Sequence, residues 1–156
     1  MTAAPSAAND FLRPHVELLL ASHLRLTGRR LWPSEALGAA LAREVFEAPF
    51  VLLSHGVEAD PIFNYANRAA LALFQYTWDE FIRIPSRESA EPANQAARAA
   101  LMQKVTTQGY VDDYSGVRIA KSGARFRIER ATVWNVVDAG GVYRGQAATF
   151  SEWTPL

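Results

Sequence analysis

The 156-residue chain contains no cysteine. Disulfides, thiolate metal ligands, cysteine nucleophiles and thiol adducts with a chromophore are therefore all excluded. Net charge is absent as well: 16 Lys and Arg balance 16 Asp and Glu. Nothing global steers the chain toward nucleic acid or an anionic membrane. Long hydrophobic runs are missing, since the longest, VELLLA, is far shorter than a bilayer span and carries a glutamate. The N-terminal stretch MTAAPSAANDF is small and polar and lacks the apolar core of a secretion signal. These absences together lead to a cytoplasmic, non-membrane reading.

Catalytic and metal-binding patterns are equally sparse. The three histidines are His15, His23 and His55. His15 and His23 lie two helical turns apart, too far to share one metal ion. His23 reads as an interface residue and His55 as a hairpin residue beside Gly56. Asp112 and Asp113 are adjacent in a strand, so they point to opposite faces and cannot act as an acid–base pair; Asp113 is expected to pair with Arg118 or a neighbouring basic strand residue. No serine sits in a nucleophile elbow. No catalytic residue and no metal site is assigned, and the chain is read as a non-enzyme.

What is present is ordinary globular composition, 49% hydrophobic, enough for one compact core. Residues 1–9 read as a disordered tip. A first helix is expected from Pro14 to Thr27, with Val16, Leu19, Leu20, His23 and Leu24 on one face and Gly28 as its stop. A second is expected after Ser34, read as its N-cap, and ends before Pro49. Residues 1–48 are thus a tip and two-helix extension to a domain at 49–156.

Within that domain FVLLSH (50–55) and IFNYA (62–66) read as a hairpin of strands. Asn67 stands where the N-cap of the helix RAALALF belongs, and Thr77 with Glu80 forms a capping box for a further short helix. A longer helix covers 94–108, with Ala97, Leu101 and Val105 at four-residue spacing and Gly109 as its stop. Three strands follow, near 110–120, 125–137 and 142–153. They are separated by the hairpin breaks KSGA and DAGG. In the middle strand, strict alternation places Phe126, Ile128, Arg130, Thr132 and Trp134 on one face. In the last, Tyr143, Gly145, Ala147 and Thr149 form a small-residue face with room beneath the helices.

The order of two strands, three helices and three strands predicts an α+β fold: a five-stranded antiparallel sheet with helices over one face and an N-terminal helical extension. IFNYANRAALALFQYTWDEF and RIAKSGARFRIERATVWNVVDAGGVYRGQAATFSEW resemble the two halves of the PAS fold. More narrowly, FNYANRAAL, TWDEF and DDYSGVRIAKSGARFRIERATVWN resemble the MEKHLA domain, a PAS-like family that also stands at the C-terminus of plant homeodomain-leucine zipper regulators. The resemblance implies a stand-alone sensory or small-molecule-binding module acting through protein contacts with a signalling partner, since no output region is read in the chain.

A ligand between helices and sheet would meet Tyr65, Asn67, Phe74, Trp78, Arg130, Trp134 and Tyr143. Arg130, on an apolar face, must find an anionic partner there. The competing expectation for Arg130 is an internal ion pair with Glu80 or Glu91. Haem-binding PAS domains commonly use a histidine on the long helix, and residues 94–108 hold none, so no haem is expected. Without cysteine no covalent flavin is expected either. The alternatives are a ligand-free interaction module and a small cone-fold isomerase or hydratase, for which no acid–base pair is found. The apolar breadth of the first helix predicts a homodimer built partly upon it. The competing reading has the N-terminal helices covering the sheet of their own chain.

Overall fold

The computed structural model describes residues 2–156. Helix α1 spans Arg13–Thr27 and is closed by the backbone N–H of Gly28 on the Leu24 carbonyl at 2.9 Å. Helix α2 spans Gly38–Glu47 and starts three residues later than its expected cap implies, with Leu37 rather than Ser34 at the N-cap. Gly38 has φ 61°, outside the helical region, so no helix can run through it from Ser34. The Ser34 hydroxyl accepts instead from Ala36 N in a local turn.

Strands β1 (Val51–His55) and β2 (Phe63–Ala66) form the hairpin. Helix α3 (Arg68–Phe74) follows, capped by Asn67, whose side chain accepts from Ala70 N. Helix α4 (Trp78–Phe81) carries the Thr77–Glu80 capping box. Two 3₁₀ turns, at Ser86–Ser89 and Pro92–Asn94, lead into α5 (Gln95–Gln108). Then come β3 (Tyr110–Ile119), β4 (Arg125–Val137), β5 (Tyr143–Phe150) and β6 (Glu152–Pro155).

The sheet is antiparallel, in the order β2-β1-β5-β4-β3. β6 continues β5 past Ser151 and pairs with the first half of β4, Phe126 opposite Pro155. The five expected strands are therefore present, the last interrupted once.

The sheet separates two apolar layers. One face packs Val51, Phe63, Phe126, Ile128, Ala131 and Phe150 against Phe74 and Phe81 of α3 and α4. Leu101 and Val105 of α5 join it at Val133. The other face packs Leu52, Tyr65, Trp134, Val136 and Ala147 against Val16 and Leu19 of α1 and Ala42 and Val45 of α2. The N-terminal helices thus cover the sheet of their own chain: Leu19 is 0% exposed within one chain. Ser22 fixes α1 on β4, donating to Asn135 O at 2.8 Å and accepting from Val137 N at 2.9 Å. The N-terminal residues from Thr2 onward lie against the domain, and Met1 is outside the described residues. Thr2 O accepts from Trp78 Nε1 at 2.9 Å, and Pro5 is buried.

Strict alternation along β4 fails at Arg130, which has φ 52°. A left-handed residue inside a strand acts as a bulge and shifts the phase of the side chains beyond it. Phe126 and Ile128 share their face with Ala131, while Trp134 and Val136 turn to the α1 side. The side chain of Arg130 is 78% exposed and lies 3.7 Å from Glu152. The expectation of Arg130 on an apolar face beside Trp134 is corrected on this ground. The acids considered as its partners are engaged elsewhere, Glu80 by Lys121 and Glu91 by Arg125.

Candidate functional site

A partly open cavity lies between the sheet and the α3/α5 layer, with about 50 Å³ open to the centres of water-sized molecules. One water needs roughly 10–15 Å³ by this measure, so the space suits a few waters or a compact molecule. Most of its wall is apolar, with Leu53, Phe63, Phe74, Leu101, Ile128, Val133 and Phe150 contributing. The polar remainder comes from separate segments: His55 of β1, Ser86 of the first 3₁₀ turn, Arg98 of α5, Tyr114 and Arg118 of β3, and Gln146 of β5.

Local structure explains how each arrives there. Arg98 lies three and four residues before Leu101 and Met102, so α5 presents all three to the sheet. Its guanidinium donates to Ser86 Oγ. Arg118 is opposite Phe126 in the β3–β4 ladder and only 8% exposed. It rests on the Tyr114 ring at 5.5 Å and donates from Nη1 to Val117 O at 2.9 Å. The expected partner Asp113 does not reach it, and its neighbour Asp112 pairs with Arg29 instead.

His55 is 7% exposed. Its Nδ1 lies 3.0 Å from Gly56 O, which can only accept, so Nδ1 carries the proton and Nε2 is an acceptor. Nε2 has no hydrogen-bond partner, although Gln146 lies beside the ring. Burial, with the nearby Arg98 charge, holds the ring below its ordinary pKa and hence neutral at pH 7. The β1–β5 approach that seats His55 depends on Gly145, φ 126°, where a Cβ would come within 2.0 Å of His55 O. Gln146 donates to Asn135 Oδ1 at 3.1 Å.

Of the residues expected at a ligand, only Phe74 is on this wall. Tyr65 and Trp134 are buried on the opposite face, under His15 and His23. Trp78 belongs to that same layer. Asn67 is wholly buried and structural: Oδ1 accepts from Leu52 N and Ala70 N, and Nδ2 donates to Val45 O and Phe50 O. Tyr143 is 44% exposed at the strand end. Ala147 packs in the α1 layer but also borders the cavity, whereas Tyr143, Gly145 and Thr149 do not line it, so the small-residue surface contributes there through one residue only. Arg130 lies in a shallow surface depression with Glu152 and Trp153. His55, Arg98, Arg118 and Gln146 were not among the expected residues.

Among the described residues, no group of three or more His, Asp or Glu side chains is placed to hold a metal. No helix is long and apolar enough to cross a membrane.

The fold is that of PAS domains. A PAS domain from Colwellia psychrerythraea superposes with a TM-score of 0.60 at 14% identity, covering 75% of this chain and 94% of that one. The light-state dimer of the fungal blue-light photoreceptor Vivid gives 0.61 at 17% identity, over 88% and 93%. A light-oxygen-voltage domain studied with a flavin analogue gives 0.57 at 17% identity, over 75% and 84%. By sequence, the Arabidopsis thaliana homeobox-leucine zipper protein ATHB-9 is 26% identical over 119 residues, 75% of this chain. The match takes in 14% of that relative's length. The MEKHLA domain profile matches residues 13–155, taking in both N-terminal helices as well as the sheet. The chain belongs to the MEKHLA domain family.

Proposed function

We propose that this PAS-like sensory domain binds a small molecule in the cavity between its sheet and α5 and passes the binding event to α1. The carrying observation is the cavity itself. It is concave and partly open, large enough for a compact molecule, and walled by polar groups with unused hydrogen-bonding capacity. A filled interaction module would instead pack apolar side chains into that space. The cone-fold enzyme reading finds no carboxylate on the cavity wall to act with His55.

A hydrogen-bonded route supports the output. Gln146 on the wall holds Asn135, and the Asn135 carbonyl holds Ser22 of α1. Next to His55, Ser54 projects to the other face and meets His15 of α1 at 3.0 Å. A ligand that repositions Gln146 or His55 thereby shifts the seat of α1. The partner we propose is a second copy. Val16, Leu19 and His23 are consumed within the chain, but Leu24 is 45% exposed beside a groove formed with Leu20, Leu31, Trp32 and Leu41. The light-state Vivid neighbour is itself a dimer. We place this module in the cytoplasm. The light-oxygen-voltage neighbour was studied with a flavin analogue. Our reading has no covalent flavin, since there is no cysteine for an adduct, and the small cavity argues for a more compact ligand.

Native mass spectrometry of purified protein tests the reading. The expected result is a retained small molecule, lost in Ala148→Phe, which fills the cavity, with colourless protein throughout. A ligand-free wild type whose melting temperature and dimer fraction match those of Ala148→Phe across a metabolite panel refutes it.

A further inference from the structure

The cavity carries two cations and no anion. Arg98 and Arg118 both line it, and no aspartate or glutamate does. Neither guanidinium has a carboxylate within ion-pair distance, whereas at least nine other basic side chains among the described residues do. Their protein hydrogen bonds are one each, to Ser86 Oγ and to Val117 O. A guanidinium offers five N–H donors in a planar fork, so most of this capacity is unmet. Burying an unpaired charge is costly, and burying two like charges near each other more so. The two do interact: burial and then the Arg118 charge push Arg98 down to about 10, and the weaker opposing pull of Tyr114 and the more distant Asp60 does not offset this. A third unmet group, Nε2 of the buried His55, borders the same space.

Resting on the ligand-binding reading above, we infer that the cavity is completed by a small organic carboxylate. Its two oxygens lie against Arg98 and Arg118, and its apolar body lies against Leu53, Leu101, Ile128 and Phe150. The charge pair selects an oxyanion, because carboxylate geometry matches the guanidinium fork. The mostly apolar wall selects an organic body over inorganic phosphate, whose remaining oxygens would face hydrocarbon. The volume limits that body to a handful of heavy atoms.

The test is calorimetric titration of the chain with acetate, propionate and isobutyrate. Each is matched by its neutral amide at constant ionic strength, with inorganic phosphate as a further arm. We expect at least one carboxylate to bind and to raise the melting temperature, with its amide and phosphate at least tenfold weaker. Arg118→Gln and Arg98→Gln should each weaken that carboxylate at least tenfold. Arg98 is only half-buried, so its variant keeps the test decisive should Arg118→Gln fail to fold. Amide and carboxylate binding equally, both blocked by Ala148→Phe, would overturn the charge inference and leave the ligand-binding reading standing. Phosphate binding as tightly as the best carboxylate would overturn the organic body. No binding by any probe below 10 mM overturns the inference. If native mass spectrometry then also finds no retained molecule, the ligand-binding reading falls with it.

Discussion

Acidification should loosen the seat of α1 through His15. Burial lowers this ring from 6.5 to about 4, and no neighbouring charge offsets the effect. The Ser54 hydroxyl is donated to Asn64 Oδ1 at 2.6 Å, so the ring's Nε2–H must be the donor to Ser54 Oγ. A second proton would then go to Nδ1, within a layer that holds the Tyr65 ring at 5.6 Å. Between the two pKa values the unfolded chain binds a proton that the folded chain refuses. Stability is therefore full above 6.5, falls as pH drops through that value, and levels off below about 4. From pH 8 to pH 5 the linkage relation gives a loss of about 2 kcal/mol from His15 alone. His23 and His55 are shifted in the same direction by burial and add to it. The assay is urea unfolding at pH 8, 6 and 5 for wild type and His15→Gln, which retains a donor toward Ser54 but cannot titrate. The wild type should lose about 2 kcal/mol more than the variant over this range. Equal losses in the two proteins would refute the assignment of His15 as a buried neutral ring.

Three further outcomes are expected. Leu19→Ala, at a site with no exposure against β4, should cost about 2–5 kcal/mol in urea unfolding. Asn67→Ala removes four buried hydrogen bonds joining α2, β1 and α3, and should cost about 2–4 kcal/mol by the same assay. Arg130→Gly should leave the melting temperature unchanged or raise it, since it gives up an exposed ion pair and relieves a left-handed arginine worth about 1 kcal/mol. A loss of more than 1 kcal/mol there would mean that the ion pair outweighs the backbone strain.

Local grammar carried most of the fold. The Asn67 and Thr77 caps, the glycine hairpins and the two-residue periodicity of the strands each depend on a few adjacent residues, and a sequence displays them openly. The site was much less legible. The left-handed turn at Arg130 sits on a residue type that gives no warning of it, and it reverses the facing of everything from Ala131 onward. Strict alternation consequently sent Trp134 toward the cavity and left Val133 off it. His55, Arg98, Arg118 and Gln146 come from four segments that only the sheet order brings together. A weak sign was present for Arg98, which shares a helical stripe with Leu101 and Val105. Arg118 had none, because Asp113 offered it a nearer partner in sequence than in space.

The seat of α1 has a consequence for how the protein is made. Ser22 bonds to Asn135 and Val137, which stand 113 and 115 residues further along the chain. During synthesis the helix therefore emerges before its resting place exists. Its Val16 and Leu19 face must wait, with only α2 and the N-terminal turn nearby, until nearly the last strand has left the ribosome. Closing so long a loop is slow, and an unpartnered apolar face invites other chains in the meantime. Refolding of the intact chain should thus be slowest at its N-terminus, the part synthesised first.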